Sequence, residues 1–221
     1  MSVHLFREVE KLKKLILALG AMVEDQLYKA VDSVKRRNVK DAGKVIKADM
    51  EIDHTEVDIE EECLKTLALH QPVASDLRFI IAILKINSDL ERIGDLAVNI
   101  AEQVAFLPEI LPPVPSSLDF SIMAGKAQQM VKKSLDALVN LDAGLAREVC
   151  ASDDAVDEIN RNMITWAKNA VGRNPGSIDA IITLLMISRQ LERIADHATN
   201  NAEDVIYMIN GHIVRHATGK E

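Results

Sequence analysis

The stretch LERIGDLAVNIAE at residues 90–102 returns as LERIADHATNNAE at residues 191–203, identical at nine of 13 positions. In a chain of 221 residues, such a return makes the protein one unit used twice. A second match lies upstream, where DMEID at 49–53 corresponds to DDAVD at 153–157. The two offsets, 101 and 104, differ by three residues that the intervening helix and turn absorb. Between the copies runs Leu107 to Ser117, which holds four of the six prolines (Pro108, Pro112, Pro113 and Pro115) and cannot continue a helix. The expected organisation is a first unit at 1–107, a stiff linker at 108–116 and a second unit at 117–221.

Composition says what the unit is made of. Only seven residues are aromatic against 25 alanines, while hydrophobic residues reach 48% and charged residues 27%. A core rich in Ala, Leu and Ile, with few Gly or Pro outside the linker, predicts packed helices and no sheet. Apolar periodicity and breaks at Arg37–Asn38, 70–76, 140–142 and 172–176 predict helices near 3–36, 40–70 and 76–107. The second unit repeats this at 117–139, 142–171 and 177–210. Short connections make consecutive helices antiparallel neighbours. The fold class is all-α, two tandem, pseudo-symmetric three-helix bundles.

A net charge of -8 excludes a general nucleic-acid binder, which needs a basic face for the phosphates. Met1 to Lys14 lacks the apolar core of a secretory signal, and the longest uncharged apolar runs, Phe79–Leu84 and Ala180–Ile187, fall far short of the roughly 20 residues that span a bilayer. Cys63 and Cys150 lie on apolar stripes and read as small core residues, not a disulfide. A cytoplasmic location is expected.

The acids are not evenly spread. On the second helix, the stripe of Ala42, Val45 and Ile46 continues as Asp49, Asp53, Glu56 and Glu60 before returning to Cys63, Leu64 and Leu67. On the third, Leu77, Ile80, Ile81 and Leu84 lead into Ser88, Glu91, Asp95, Asn99 and Glu102, while Arg78, Lys85, Asp89 and Arg92 form a separate sector expected to face solvent. Folding the hairpin about Val73 sets Asp53 level with Ile93, between Glu91 and Asp95. Folding the second about Pro175 sets Asp157 between Glu192 and Asp196. Packed helix axes lie about 8–10 Å apart, so the facing carboxylates are within reach of a shared ion. Without a cation, like charges so placed oppose folding. All-oxygen donors suit hard ions such as magnesium, manganese, calcium or iron.

At LERIGD (90–95) and LERIAD (191–196), and at QPVASDLR (71–78) in the turn between second and third helices, the sequence resembles the PhoU family of phosphate-signalling regulators. The resemblance covers essentially the whole chain. It implies two related three-helix bundles, a homodimer, and cytoplasmic repression of the phosphate-starvation response. It further implies partnership with the Pst phosphate transporter, including its ATPase, and with a PhoR-type sensor histidine kinase. Metal ions, iron clusters among them, are the cofactors implied, with zinc added to the hard ions above. Carried over by position, the ligands are Asp49, Asp53, Glu91 and Asp95 in one half and Asp153, Asp157, Glu192 and Asp196 in the other. Glu56, Asn99, Glu102, Asn160, Asn200 and Glu203 are additional candidates.

The second half departs from the first. Asn160 and Ile164 stand where Glu56 and Glu60 would repeat, Arg189 replaces Ser88, and GSID (176–179) replaces SDLR (75–78). A weaker or less populated second site is the expectation. Two rival readings remain: a metal-dependent enzyme resembling di-iron bundles, and a metal-free helical adaptor. The first needs Glu-x-x-His on two helices, yet only Glu51 and His54 supply it, and Ala155 and Glu158 stand at the equivalent places. With no nucleophile–base pair or phosphate-binding loop in view either, no enzyme is expected. His54 and His197 are expected at the surface or behind the ligands.

Overall fold

The same turn opens the second helix of each half. After α1 (Val3–Arg36), the Asn38 amide donates to the Ser33 carbonyl at 3.0 Å and the Arg37 amide to Val34 at 3.2 Å. Arg37 takes the left-handed conformation at φ 53°. Asn38 then caps α2 (Val39–His70), accepting from the amides of Lys40 and Asp41 at 3.1 and 3.2 Å. In the second half, α4 (Phe120–Asn140) ends on Leu141, again left-handed at φ 53°, and Asp142 accepts from the Gly144 and Leu145 amides, both at 2.9 Å, to start α5 (Ala143–Arg173). The hairpins close with α3 (Ala74–Glu102) and α6 (Ile178–Asn210). This computed structural model describes residues 3–107, 114, 120–173 and 175–211, and among them there is no strand.

Each trio packs as expected, α1 with α2 and α3, α4 with α5 and α6. The α-helix of α3 stops at Glu102 and tightens into a 3-10 turn over Gln103–Phe106, earlier than the expected 107. The linker at 108–116 lies outside the described residues except for Val114. Equivalent helices also pack on each other, α3 on α6 and α1 on α4, as a pseudo-two-fold axis between the halves requires. One apolar core runs through both trios, from Leu12, Ile16 and Leu27 through Ile83, Leu90 and Ile93 to Leu191 and Ile194. Both cysteines are free, Cys63 buried and Cys150 partly so.

Two expectations about faces are overturned. The sector of Arg78, Lys85 and Asp89 is not given over to solvent: its polar ends meet α6. Asp89 pairs with His197 at 2.8 Å, Lys85 with Asp204 at 3.0 Å, and the Arg78 Nε donates to the Met208 carbonyl at 3.2 Å. A polar sector on one bundle is satisfied by a polar sector on the other, which periodicity within one helix cannot reveal. Arg78 and Asp89 are partly buried, while Lys85 and Arg92 stay exposed, Lys85 reaching α6 through its ammonium. On α2, Ile46 and Leu64 turn outward although they border the buried line of Ala42, Val45, Ile52, Ile59 and Cys63.

Candidate metal centre

Helices α2 and α3 carry the first acidic group, and α1 supports it from behind. Gln26, only 3% exposed, projects from the core face of α1 and donates through Nε2 to Asp49 Oδ1 at 2.9 Å. The Gln26 Oε1 has no partner. Gly94 makes the close approach possible: a Cβ there would sit 3.1 Å from Gln26 Oε1 and 3.3 Å from Asp49 Oδ1. Deeper along the hairpin, Asn87 Nδ2 donates to the Glu56 carbonyl at 2.9 Å and to Glu56 Oε1 at 3.1 Å.

Burial raises the Asp49 carboxyl above its ordinary range, and Asp53 and Asp95 add to the rise while Gln26 opposes it. Glu91 is raised by burial and by Asp95, and Glu56 by burial and by Glu60. The carboxylates therefore feel one another across the two helices. Arg92 takes part of this charge, pairing with Asp95 at 2.9 Å and Glu91 at 3.4 Å. Asn99 is partly buried, and Glu102, at the end of α3, is exposed.

In the second hairpin the acids converge further. Oxygens of Asp157, Glu192 and Asp196 lie within 4.8 Å of one another, the single such trio among the described residues. The sequence departures pointed to the second site as the poorer one, yet the closest approach of three carboxylates is here. Glu192 is 9% exposed; one oxygen pairs with Arg189 and the other, Oε2, is buried without a partner. Asp153 Oδ1 is likewise buried and unpartnered. Burial first, then Asp196 and Asp157, push the Asp153 carboxyl up to about 6. Burial and Asp196 raise Glu192, and burial and Asp157 raise Asp196. Arg161 pairs with Asp157 at 3.3 Å on the open side.

Other candidates fall outside this trio. Asn160 is buried with its Oδ1 accepting from Ser188 Oγ at 2.9 Å. That bond is the positional counterpart of Asn87 to Glu56, so this oxygen ties the helices together instead of turning to the acids. Glu203 lies near Cys150, whose thiol is pushed up to about 11 by burial and then by that carboxylate. Asn200 is partly buried. His54 is exposed, and His197 belongs to the seam between the halves.

Gln26, Asn87 and Ser188 were not among the expected site residues. A signal for Gln26 existed: it interrupts the apolar line of Val23, Leu27 and Ala30 on α1, and its repeat equivalent is Met130.

The donor set fits a hard cation. Every converging atom is a carboxylate oxygen, two buried oxygens have no hydrogen-bond partner, and burial first and the neighbouring acids second raise the proton affinity there. Asp153, Asp157, Glu192 and Asp196 would hold an ion between α5 and α6. Asp49, Asp53, Glu91 and Asp95 offer the equivalent group between α2 and α3.

A sequence model of the PhoU domain matches residues 16–104 and again 120–205. A phosphate-specific transport system accessory protein PhoU homolog of Aquifex aeolicus is 40% identical over 217 residues, covering 98% of each chain. The homolog of that name from Pseudomonas aeruginosa is 37% identical over 209 residues, 95% of this chain and 86% of that one. Among solved structures, PhoU from Pseudomonas aeruginosa superposes with a TM-score of 0.88 at 36% identity, covering 93% of this chain and 99% of the other. The phosphate transport system regulatory protein PhoU from Streptococcus pneumoniae gives 0.88 at 29% identity, covering 95% and 99%.

Proposed function

The chain belongs to the PhoU family, and from that premise we propose that it is a metal-binding regulator of phosphate uptake and phosphate-regulon signalling. It acts as a homodimer in the cytoplasm and restrains the phosphate-starvation response through the ATPase of a Pst-type phosphate transporter and a PhoR-type sensor kinase. Relatives named as accessory to the phosphate-specific transport system support the transport side of this reading. No helix among the described residues is long and apolar enough to cross a membrane.

The observation that carries the metal part is the trio Asp157, Glu192 and Asp196, with the orphaned Glu192 Oε2 beside it. A bound cation supplies the missing partner, relieves the repulsion and ties α5 to α6. That stiffens the face the hairpin presents to partners. The rival adaptor reading draws on Arg92 and Arg189, which neutralise part of each cluster without metal. No catalytic step is proposed, since the raised carboxyls face one another with no nucleophile between them.

Elemental analysis of full-length protein purified without chelator decides between these readings. Iron, manganese, magnesium, zinc or calcium should be present, and should fall in Asp157→Asn and Asp196→Asn. Equal metal content and melting temperature in those variants would remove the ligand assignment. Co-purification with the transporter ATPase or the kinase tests the partners. Its failure in both phosphate-replete and phosphate-starved cells would count against them.

A further inference from the structure

Five large apolar side chains run in one line down the outside of α2. Val39, Ile46, Met50, Val57 and Leu64 are each between 40% and 63% exposed. Their steps of seven and four residues keep them within about 40° of one line over about 38 Å of helix. The fold does not require them. Their repeat equivalents on α5 are Ala143, Cys150, Asp154, Arg161 and Lys168, and the last three are exposed and charged. The upper end of the line opens into a cavity of about 480 Å³ between the start of α2 and the end of α3, lined by Val39, Gly43, Ile46, Ala105 and Phe106. Phe106 is itself an exposed aromatic on its rim.

Acids flank the line. Glu51, Asp58 and Glu61 lie on one side and Asp53 and Glu60 on the other, with no Lys or Arg on α2 between Glu51 and Leu64. Asp58, Glu60 and Glu61 make no salt bridge among the described residues; the neighbouring Glu62 has taken both Lys11 and Lys65. A second copy of this face would set acid against acid.

We propose that the outer face of α2 is a docking surface for a basic amphipathic helix of another protein. Its apolar side would cover Ile46 to Leu64, and its Lys and Arg flanks would meet the unneutralised acids. Helix-on-helix recognition of this kind takes affinity from the apolar anchors, and specificity and association rate from complementary charge. The cavity beside Phe106 offers a seat for one large side chain at the end of that helix. The inference goes beyond the metal reading and does not depend on it.

The test titrates full-length protein with a labelled 21-residue peptide carrying Leu at the a and d heptad positions and Lys elsewhere. A counterpart with Glu in place of Lys is the control. Binding of the Lys peptide alone, weakening as salt rises, is expected. Val57→Glu should lower its affinity by at least about tenfold, as loss of a central apolar anchor does. The direction is diagnostic, because Val57→Glu adds a negative charge and indiscriminate attraction would strengthen. The pair Asp58→Lys with Glu61→Lys should also weaken binding, whereas Asp154→Lys on α5 should not. Equal or tighter binding by Val57→Glu would overturn the proposal. So would a wild-type dimer in sedimentation that Val57→Glu dissociates while the peptide fails to bind. Metal content is expected to stay unchanged in Val57→Glu, so failure here and failure of the metal reading are told apart.

Discussion

Replacing Asp153 by Asn should stabilise the metal-free protein at neutral pH, against the usual rule that altering a buried polar residue costs stability. The Asp153 carboxyl is pushed from an ordinary 3.8 up to about 6, chiefly by burial and then by Asp196 and Asp157. An acid raised in the folded state works against folding once it ionises. Between pH about 4 and 6 the native protein keeps a proton that the unfolded chain has lost, so stability falls as pH rises through that window and stays low above it. The gap corresponds to about 3 kcal/mol at full strength. Asp153 is only partly buried, so solvent screening reduces this to about 1–2 kcal/mol. For a chain of this size that is about 3–6 °C in melting temperature.

The assay is thermal and urea unfolding in chelator at pH 4.5, 5.5, 7 and 8. The advantage of Asp153→Asn over wild type should grow from the lowest pH to about 6 and be flat above. Added manganese should reverse the order: a ligand at about 100 times its Kd stabilises by about 2.7 kcal/mol, and the variant should gain less. A variant no more stable than wild type at pH 8 in chelator, or an advantage independent of pH, would refute the claim that burial and the neighbouring acids hold the Asp153 carboxyl high in the fold.

Three further outcomes follow from the packing. At Gly20 an added Cβ would collide with Leu135 Cδ1 where α1 meets α4, so Gly20→Val should cost about 1–3 kcal/mol in urea unfolding. Adding Leu135→Ala to that variant should cost less than Leu135→Ala does alone, because the two residues share one space. Arg37 and Leu141 both hold left-handed backbone at φ 53°, so Arg37→Gly and Leu141→Gly should each raise the melting temperature, by roughly 0.5–1 kcal/mol in stability. Gln26→Met copies the second half at this position, removing the 2.9 Å bond to Asp49; it should cost about 1 kcal/mol and lower metal uptake by the first hairpin while leaving the second unchanged.

Helix number and breaks were legible because they rest on local chemistry. Asn38 and Asp142 announce their helices from the side chain alone, and the 3.6-residue period marks which residues face inward. Where the buried face of a helix ends was not legible. Ile46 and Leu64 border the core line of α2, and whether such residues turn in or out depends on where α1 and α3 sit, not on α2 itself. Arg78, Lys85 and Asp89 looked like a wet face for the same reason. Their partners, Met208, Asp204 and His197, are more than 100 residues away, on a helix of the other half.

The pairing of the acids was legible and the departures in the second half predicted two unequal groups, but not which group draws its carboxylates closer, because that comes from residues that are not acids. In the first half Gln26 donates to Asp49, Asn87 donates to Glu56, and Gly94 lets α3 close upon them. In the second half Met130 cannot donate, Ser188 spends its hydroxyl proton on Asn160, and Ala195 carries the Cβ that Gly94 lacks. Asp153 and Glu192 are each left with a buried oxygen that has no hydrogen-bond partner, with only the Thr199 hydroxyl close enough to Asp153 to lower its proton affinity. A buried carboxylate without a donor has two ways to be satisfied, a proton or a cation. The first half already answers part of its charge with neutral donors and should respond less to either. The second half should be the more sensitive: if its acids hold an ion, the Glu and Gln absent from its ligand and support positions would make it lean on that ion more, not less.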